Sequence, residues 1–335
     1  MKAFILAAGL GTRLWPLTED RTKAAIPFLN RPLIAYSVEY LVKHGIREFI
    51  VNLHHQPDSI RRALGDGSKF GADIQYSFEP EILGTSGALE PMRESLADDD
   101  FLVINGKIIT NIDLGKVIAE HRQKNAIATL VLRENSAREH FSIVEVDERN
   151  WITRFAGFPD IAHSQAAGAE TAADVADVTT TASAPLMFTG VQVLSPRIFE
   201  YIPRGCFSHS TIHVFPPAMA AGEAVIGHIS SRDWYEMSTV ARYLEASLRL
   251  MDDNVSSVRV GANCMIDESA NVERAVLWDN VTIESGARLR DCVIGEGVCI
   301  PAGTVLERAV VVRRELVREI ERGEVVGENL IVPIG

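Results

Sequence analysis

Cysteine is scarce in this 335-residue chain: four residues, at 206, 264, 292 and 299, with no Cys-x-x-Cys spacing. That is the pattern of reduced, buried thiols in a cytoplasmic protein rather than of a disulfide framework. Long apolar runs are missing. No stretch is long enough to span a bilayer, and the short run before Gly9 lacks a signal-peptide cleavage pattern. Positive charge is in deficit, with 33 Lys and Arg against 45 Asp and Glu for a net charge of −12. This argues against a nucleic-acid-binding surface, so any phosphate site is a local basic pocket in an acidic protein. What remains is ordinary for a globular protein, 47% hydrophobic and 23% charged, in a length that suits one large or two medium domains.

The rest of the chain is organised around its opening. Lys2 to Ala8 is apolar almost throughout and suits a strand buried on both faces of a parallel sheet. It runs into Gly9-Leu10-Gly11-Thr12-Arg13. Two glycines let the backbone approach a ligand and turn N–H groups toward one point. Arg13 adds a fork of donors suited to phosphate oxygens, and Lys23 follows ten residues later. A plain tight turn would explain the glycines but not Thr12, Arg13 and Lys23 together.

Helix and strand patterns then alternate. Leu33–His44 reads as a helix with Gly45 as its cap, Phe49–Leu53 as a strand, and Pro57–Leu64 as a helix. Ile74–Phe78, Phe101–Asn105 and Ala128–Leu132 read as further strands. Such alternation implies βαβ crossovers, with ligands at the carboxyl ends of the strands. Adjacent residues on an extended segment face opposite ways, so His54 and His55 are loop residues rather than a metal pair. In Glu79–Leu89, small residues leave room for a flat base against the backbone, or Thr85 or Ser86 caps a helix. Asp160–Pro185, rich in Ala, Thr, Ser and Asp, reads as a surface excursion or a lid. From about Val258 apolar residues recur at an offset of 17: Val276 and Val293, Val281 and Val298, Ile283 and Ile300, Leu289 and Leu306. These are coils of a left-handed parallel β-helix, too few to stand alone, which should pack on the preceding domain or on a second subunit. Arg313–Glu321 reads as a charged capping helix. The last histidine is His228, before the coils, which argues against the acyl-transfer chemistry that uses a coil-borne histidine as base.

Leu6-Ala7-Ala8-Gly9-Leu10-Gly11-Thr12-Arg13-Leu14, with Lys23 and Pro27, resembles the signature of sugar-1-phosphate nucleotidyltransferases, most nearly the mannose-1-phosphate guanylyltransferases. The resemblance implies an α/β Rossmann-like nucleotidyltransferase domain with a mostly parallel mixed sheet over 1–250, then a short left-handed parallel β-helix over 251–335. It implies transfer of a nucleoside monophosphate from a triphosphate, GTP by this likeness, to a mannose-like sugar 1-phosphate, with release of pyrophosphate. The nucleotide-binding residues it carries over are Leu6, Ala8, Gly9, Gly11, Thr12, Arg13, Gly84, Thr85, Gly87, Asn105 and Gly106. Arg13 and Lys23 neutralise charge as pyrophosphate leaves, and Ser142, Thr189 and Gly190 face the sugar. Two departures stand out. The family holds Mg²⁺ with a carboxylate after Asn-Gly, and here that position is Lys107; the second metal carboxylate corresponds to Glu236. The family's Glu-Lys-Pro triplet has no counterpart around Arg154–Pro159. Lys107 and Glu236 are expected within ion-pair reach, with Lys107 standing in for the metal's charge; alternatively Mg²⁺ enters on phosphates, Glu236 and Asp113 or Asp233. A catalytically silent, NDP-sugar-sensing paralogue is the alternative to an enzyme. The partners implied are a nucleoside triphosphate, a sugar 1-phosphate and further copies of the chain, through the β-helix.

Overall fold

The computed structural model describes residues 1–136, 141–156, 184–251 and 258–335. The excursion expected over Asp160–Pro185 lies almost entirely outside them. The chain forms two compact units that interleave in sequence: an opening unit of Ala3–Ile82, Asn105–Asn111 and Trp234–Gly335, and a middle unit of Met1–Lys2, Leu83–Ile104 and Ile112–Asp233.

In the opening unit the strand Ala3–Leu6 pairs in parallel with Glu48–Leu53, Phe4 opposite Ile50. That strand pairs in parallel with Asp73–Phe78, Val51 opposite Tyr76. Helices Leu33–Lys43 and Pro57–Leu64 make the crossovers. Pro57 occupies the first helical position, where its missing N–H costs nothing. Gly45, at φ +82, ends the other helix in the left-handed region.

The C-terminal coils follow the 17-residue register. Val276 lies beside Val293, Ile283 beside Ile300, and Leu289 beside Leu306, all in parallel ladders. Asn263, Asn280 and Gly297 recur at that spacing with positive φ, and turn the chain at equivalent corners. Each coil buries its inward residues, among them Val281, Ile294 and Val298, in one continuous core.

A second cluster joins these coils to the start of the chain: Leu14, Leu17, Ile26 and Phe28 pack with Val240, Tyr243 and Leu244 and with Val276, Trp278, Val293 and Val310. The expected packing of the coils on the preceding domain is thus present within this unit. Polar contacts reinforce it. Trp278 Nε1 donates to the Tyr243 hydroxyl (3.0 Å), which donates to the Pro27 carbonyl. Arg21 pairs with Glu296 (2.8 Å) and lies over the Trp278 ring.

The capping helix expected at Arg313–Glu321 is not there. A single 3-10 turn, Arg314–Leu316, leads to strands Glu324–Val326 and Asn329–Pro333, and the latter runs antiparallel to Ala309–Arg313. Leu316, Val317 and Ile320 mimic a helical stripe, yet only Val317 is buried, and Ile320 is 39% exposed. The alternating Leu330, Val332 and Ile334 have a core to enter, so the strand wins.

In the middle unit the long strand Leu186–Leu194 pairs antiparallel with Phe101–Ile104, Ala128–Glu134 and Ile143–Val146. Val225–Ile229 runs parallel to Ala128–Glu134. The sheet strands are therefore mixed, parallel and antiparallel. Helix Leu114–Gln123 begins at Asp113, whose carboxylate accepts from the Lys116 amide. Among the described residues no helix is long and apolar enough to cross a membrane.

Candidate active site

The opening strand ends in a polar clamp. The Ala7 N–H donates to Asn52 Oδ1 (2.6 Å), and Asn52 Nδ2 donates to Glu79 Oε1 (2.6 Å). All three groups are buried, so the ends of three parallel strands are tied together in a medium where such bonds are strong. Glu79, just past the end of the third strand, thus supports the loop from behind. His54 Nδ1 donates to the Glu79 carbonyl (2.8 Å) and His55 Nε2 to the Thr18 carbonyl (3.1 Å), so both rings brace the same loop.

Beyond the clamp the loop opens. Ala8 is buried, and a side chain at Gly9 would meet nothing within 4 Å. Gly11 has φ +76, and a Cβ there would come within 3.0 Å of Thr18 and 3.3 Å of Lys23. The glycine therefore serves both the left-handed turn and the close approach of Lys23. The N–H groups of Gly9 through Arg13 have no acceptor among the described residues. Thr12 and Arg13 are exposed. Gly106 donates its N–H to the Leu6 carbonyl (2.9 Å), and its missing side chain leaves room for Ile5, so the half-buried Asn105 and Lys107 flank the end of the first strand.

Lys107 and Glu236 are held side by side by backbone. Strand Ile108–Thr110 pairs antiparallel with Trp234–Glu236, Glu236 opposite Ile108, and the Met237 amide donates to the Lys107 carbonyl (3.1 Å). The Lys107 ammonium bonds Glu236 Oε1, which is the ion pair expected. Glu236 Oε2 is buried without a hydrogen bond, with the Arg242 guanidinium 3.7 Å away. Burial pushes the Glu236 carboxyl up, but the charges of Lys107 and Lys23 and a bond from Ser238 outweigh it and hold it below the ordinary range. Burial, then the charges of Lys107 and Arg13, push the Lys23 ammonium down to about 8. Arg13, Lys23, Lys107 and Glu236 thus share one field in the opening unit.

A carboxylate-held Mg²⁺ does not fit this donor set. Glu236 is already held by an ammonium and faces a guanidinium, and hard dications need several oxygen ligands. Among the described residues no group of three His, Cys, Asp or Glu could hold a metal.

The remaining expected residues lie in the middle unit. Gly84, Thr85 and Gly87 form one short helical turn, capped by Leu83 and not by Thr85 or Ser86. The room beside the glycines is not open for a base. A Cβ at Gly84 would lie 2.4 Å from the Ser208 carbonyl oxygen, and one at Gly87 2.7 Å from that of Cys206. The amides of Ser86 and Gly87 both donate to Ser208 O, and Thr85 Oγ1 accepts from the Ser210 amide. Gly84→Ala, which also offends a φ of +81, is expected to cost about 2–3 kcal/mol in urea unfolding. Ser142 is half-buried, just ahead of Ile143–Val146. Thr189 and Gly190 mark a bulge where the register against Ala128–Glu134 jumps between Phe188 and Gln192. The Thr189 hydroxyl donates to the Val131 carbonyl (2.8 Å), and Gly190 takes φ +81.

Sequence reasoning missed Asn52, Thr18 and Arg242. Only Arg242 left a signal: a cation in the first turn of a helix opposes the helix dipole and so needs another reason to be there.

A glycine turn at the carboxyl end of a parallel strand, with free amides and three cations, defines an α/β protein that binds nucleotide phosphates. The chain belongs to the nucleotidyl transferase family, whose model matches residues 2–253. A second model, the GlmU-like C-terminal hexapeptide, matches 241–331, in agreement with the left-handed parallel β-helix. The chain is 28% identical to a UTP–glucose-1-phosphate uridylyltransferase of Synechocystis, over 93% of this chain and 81% of that protein. It is 26% identical to a mannose-1-phosphate guanylyltransferase of Mycobacterium tuberculosis, over 91% and 83%. A crystal structure from Bacillus anthracis described as a glucose-1-phosphate thymidylyltransferase shares the fold, with TM-score 0.61 at 20% identity, over 77% of this chain and 98% of that one. The relatives named here are enzymes, and the chain is a nucleotidyltransferase of the sugar-1-phosphate class; the silent-paralogue alternative draws no support from them.

Proposed function

We propose that this enzyme transfers the guanylyl group of GTP to a mannose-like hexose 1-phosphate. A phosphate oxygen of the sugar attacks the α-phosphorus, a P–O bond forms, the bond to the β-phosphate oxygen breaks, and pyrophosphate leaves. The carrying observation is the cluster of Arg13, Lys23 and Lys107 beside the unpaired amides after the first strand. Such transfer is mainly positioning and charge neutralisation, which this cluster can supply without a covalent intermediate. Gly9, Gly11, Thr12 and Arg13 hold the phosphates, with Leu6 and Ala8 as the loop's stem. Lys23 meets the charge on the attacked phosphorus. Asn105 and Gly106 serve the ribose side. Gly84, Thr85 and Gly87 shape the base segment, Gly84 and Gly87 by admitting the 206–208 backbone. Ser142, Thr189 and Gly190 contribute to the sugar side.

Guanine and mannose are favoured because relatives named mannose-1-phosphate guanylyltransferases recur, one from Oryza sativa at 28% identity over 99% of this chain. The uridylyltransferase relative supports UTP with glucose 1-phosphate as the second reading. The test is pyrophosphate release with GTP, UTP, dTTP and CTP against mannose 1-phosphate and glucose 1-phosphate. GTP with mannose 1-phosphate is expected to give the highest kcat/KM; a preference for UTP with glucose 1-phosphate would replace the leading reading. We place the enzyme in the cytoplasm, with residues 1–250 as the transferase and 251–335 as the coils. Self-association is proposed through the first coil, where Met265 is 65% exposed on a strand that, among the described residues, pairs on one side only. Light scattering that gives the monomer mass at micromolar concentration would reject it.

A further inference from the structure

We propose that this enzyme takes its nucleoside triphosphate free of a divalent cation, the Lys107 ammonium supplying in place the charge that a protein-held cation would bring. The inference rests on the nucleotide-binding reading above.

Its first ground is position. The ladder that sets Glu236 opposite Ile108, with the bond from the Met237 amide to the Lys107 carbonyl, fixes both Cα atoms beside the end of the first strand. The ammonium is part of the folded frame, not a side chain recruited from the surface. Glu236 gives it an anchor: one carboxylate oxygen bonds Lys107, and the other is buried beside Arg242. A dication reaching this carboxylate would have to displace an ammonium and approach further cations, at distances where like charges repel strongly in a partly buried site.

The second ground is charge. Arg13, Lys23, Lys107 and Arg242 against Glu236 leave a net positive field at least as large as the charge of one magnesium ion, in a chain that is otherwise strongly acidic. A free triphosphate with four negative charges is drawn to that field more strongly than the magnesium complex, which carries half as many. Burial first, and then the nearby charges of Lys107 and Arg13, depress Lys23 in the nucleotide-free protein.

The test is calorimetric titration with GTP and with UTP, in excess magnesium and in excess EDTA, together with electron paramagnetic resonance of Mn²⁺ added to nucleotide-free protein. The wild type is expected to bind triphosphate at least as tightly in EDTA as in magnesium, and to bind no Mn²⁺ on its own. Lys107→Asp is expected to lose about tenfold or more of its affinity in EDTA, regain it in magnesium, and acquire a Mn²⁺ site. Because Lys107→Asp sets two carboxylates together and can fail to fold, Lys107→Met combined with Glu236→Gln is the second variant. It removes both charges of the pair together, avoids two adjacent carboxylates, should fold, and should lose EDTA affinity without gaining Mn²⁺. Wild-type binding that requires magnesium, or a Mn²⁺ site in the nucleotide-free wild type, overturns this inference alone. Binding of neither triphosphate in either buffer overturns the nucleotide reading itself, and this inference with it.

Discussion

Lys23→Met is expected to lower kcat/KM by about 10²–10³-fold, while the protein remains folded. The magnitude is that of removing one charge aimed at the reacting group. Lys23 lies against the turn, with its Cβ 3.3 Å from where a side chain on Gly11 would begin. Steady-state pyrophosphate release measures the loss. A change of less than threefold would remove Lys23 from the reacting centre. The pH dependence separates a charge effect from a packing effect. Lys23 is pushed down to about 8, so in the free enzyme it loses its proton as pH rises through that value. Wild-type kcat/KM should fall above about pH 8, and this limb should be missing from Lys23→Met. The stability effect has the opposite sign. Between about 8 and the ordinary lysine range the unfolded chain binds more protons than the native one, so stability rises with pH there. Denaturation midpoints should show that rise in the nucleotide-free wild type and a flatter profile in Lys23→Met.

Tyr243→Ala carries the largest expected cost in stability, about 3–5 kcal/mol by chemical unfolding, comparable to that of other large aromatic deletions in cores. The side chain is fully buried among Phe28, Trp278 and the coil residues. Its hydroxyl also accepts from Trp278 and donates to Pro27, so truncation leaves a cavity and two stranded polar groups. Tyr243→Phe keeps the volume and removes only the hydroxyl, with an expected cost of about 1–3 kcal/mol. If the two variants cost the same, the cavity contributes little and the packing account of this junction is wrong. Residues 14–22 connect Arg13 to Lys23, and Leu14, Trp15 and Leu17 among them pack on this core, so Tyr243→Ala should also raise KM for the triphosphate.

The legible features were those with a short-range physical signature. The apolar opening strand, the Gly9–Gly11 turn and the 17-residue coil register each follow from local geometry, and all appear where the residues put them. The pairing of Lys107 with Glu236, 129 positions apart, was legible only through the family resemblance, which aligned both with metal-binding positions. Other features depended on partners that no local pattern reveals. Gly84 and Gly87 looked like space for a base, but the 206–208 backbone fills it. Glu79 sits at a strand end, where ligands are expected, and is the far end of a clamp through Asn52. Arg313–Glu321 has helical spacing, yet a strand contributed from beyond it decides its structure.

The interleaving of the two units sets an order of events during synthesis. The opening unit lacks its coils and its Trp234–Leu250 segment until the ribosome has added the roughly 150 residues that separate Ile82 from Trp234. At about 5–20 residues per second the first quarter of the chain therefore waits on the order of ten seconds, with Leu14, Phe28 and Leu33 still uncovered. The growing polypeptide is most exposed to chaperones and proteases in that interval.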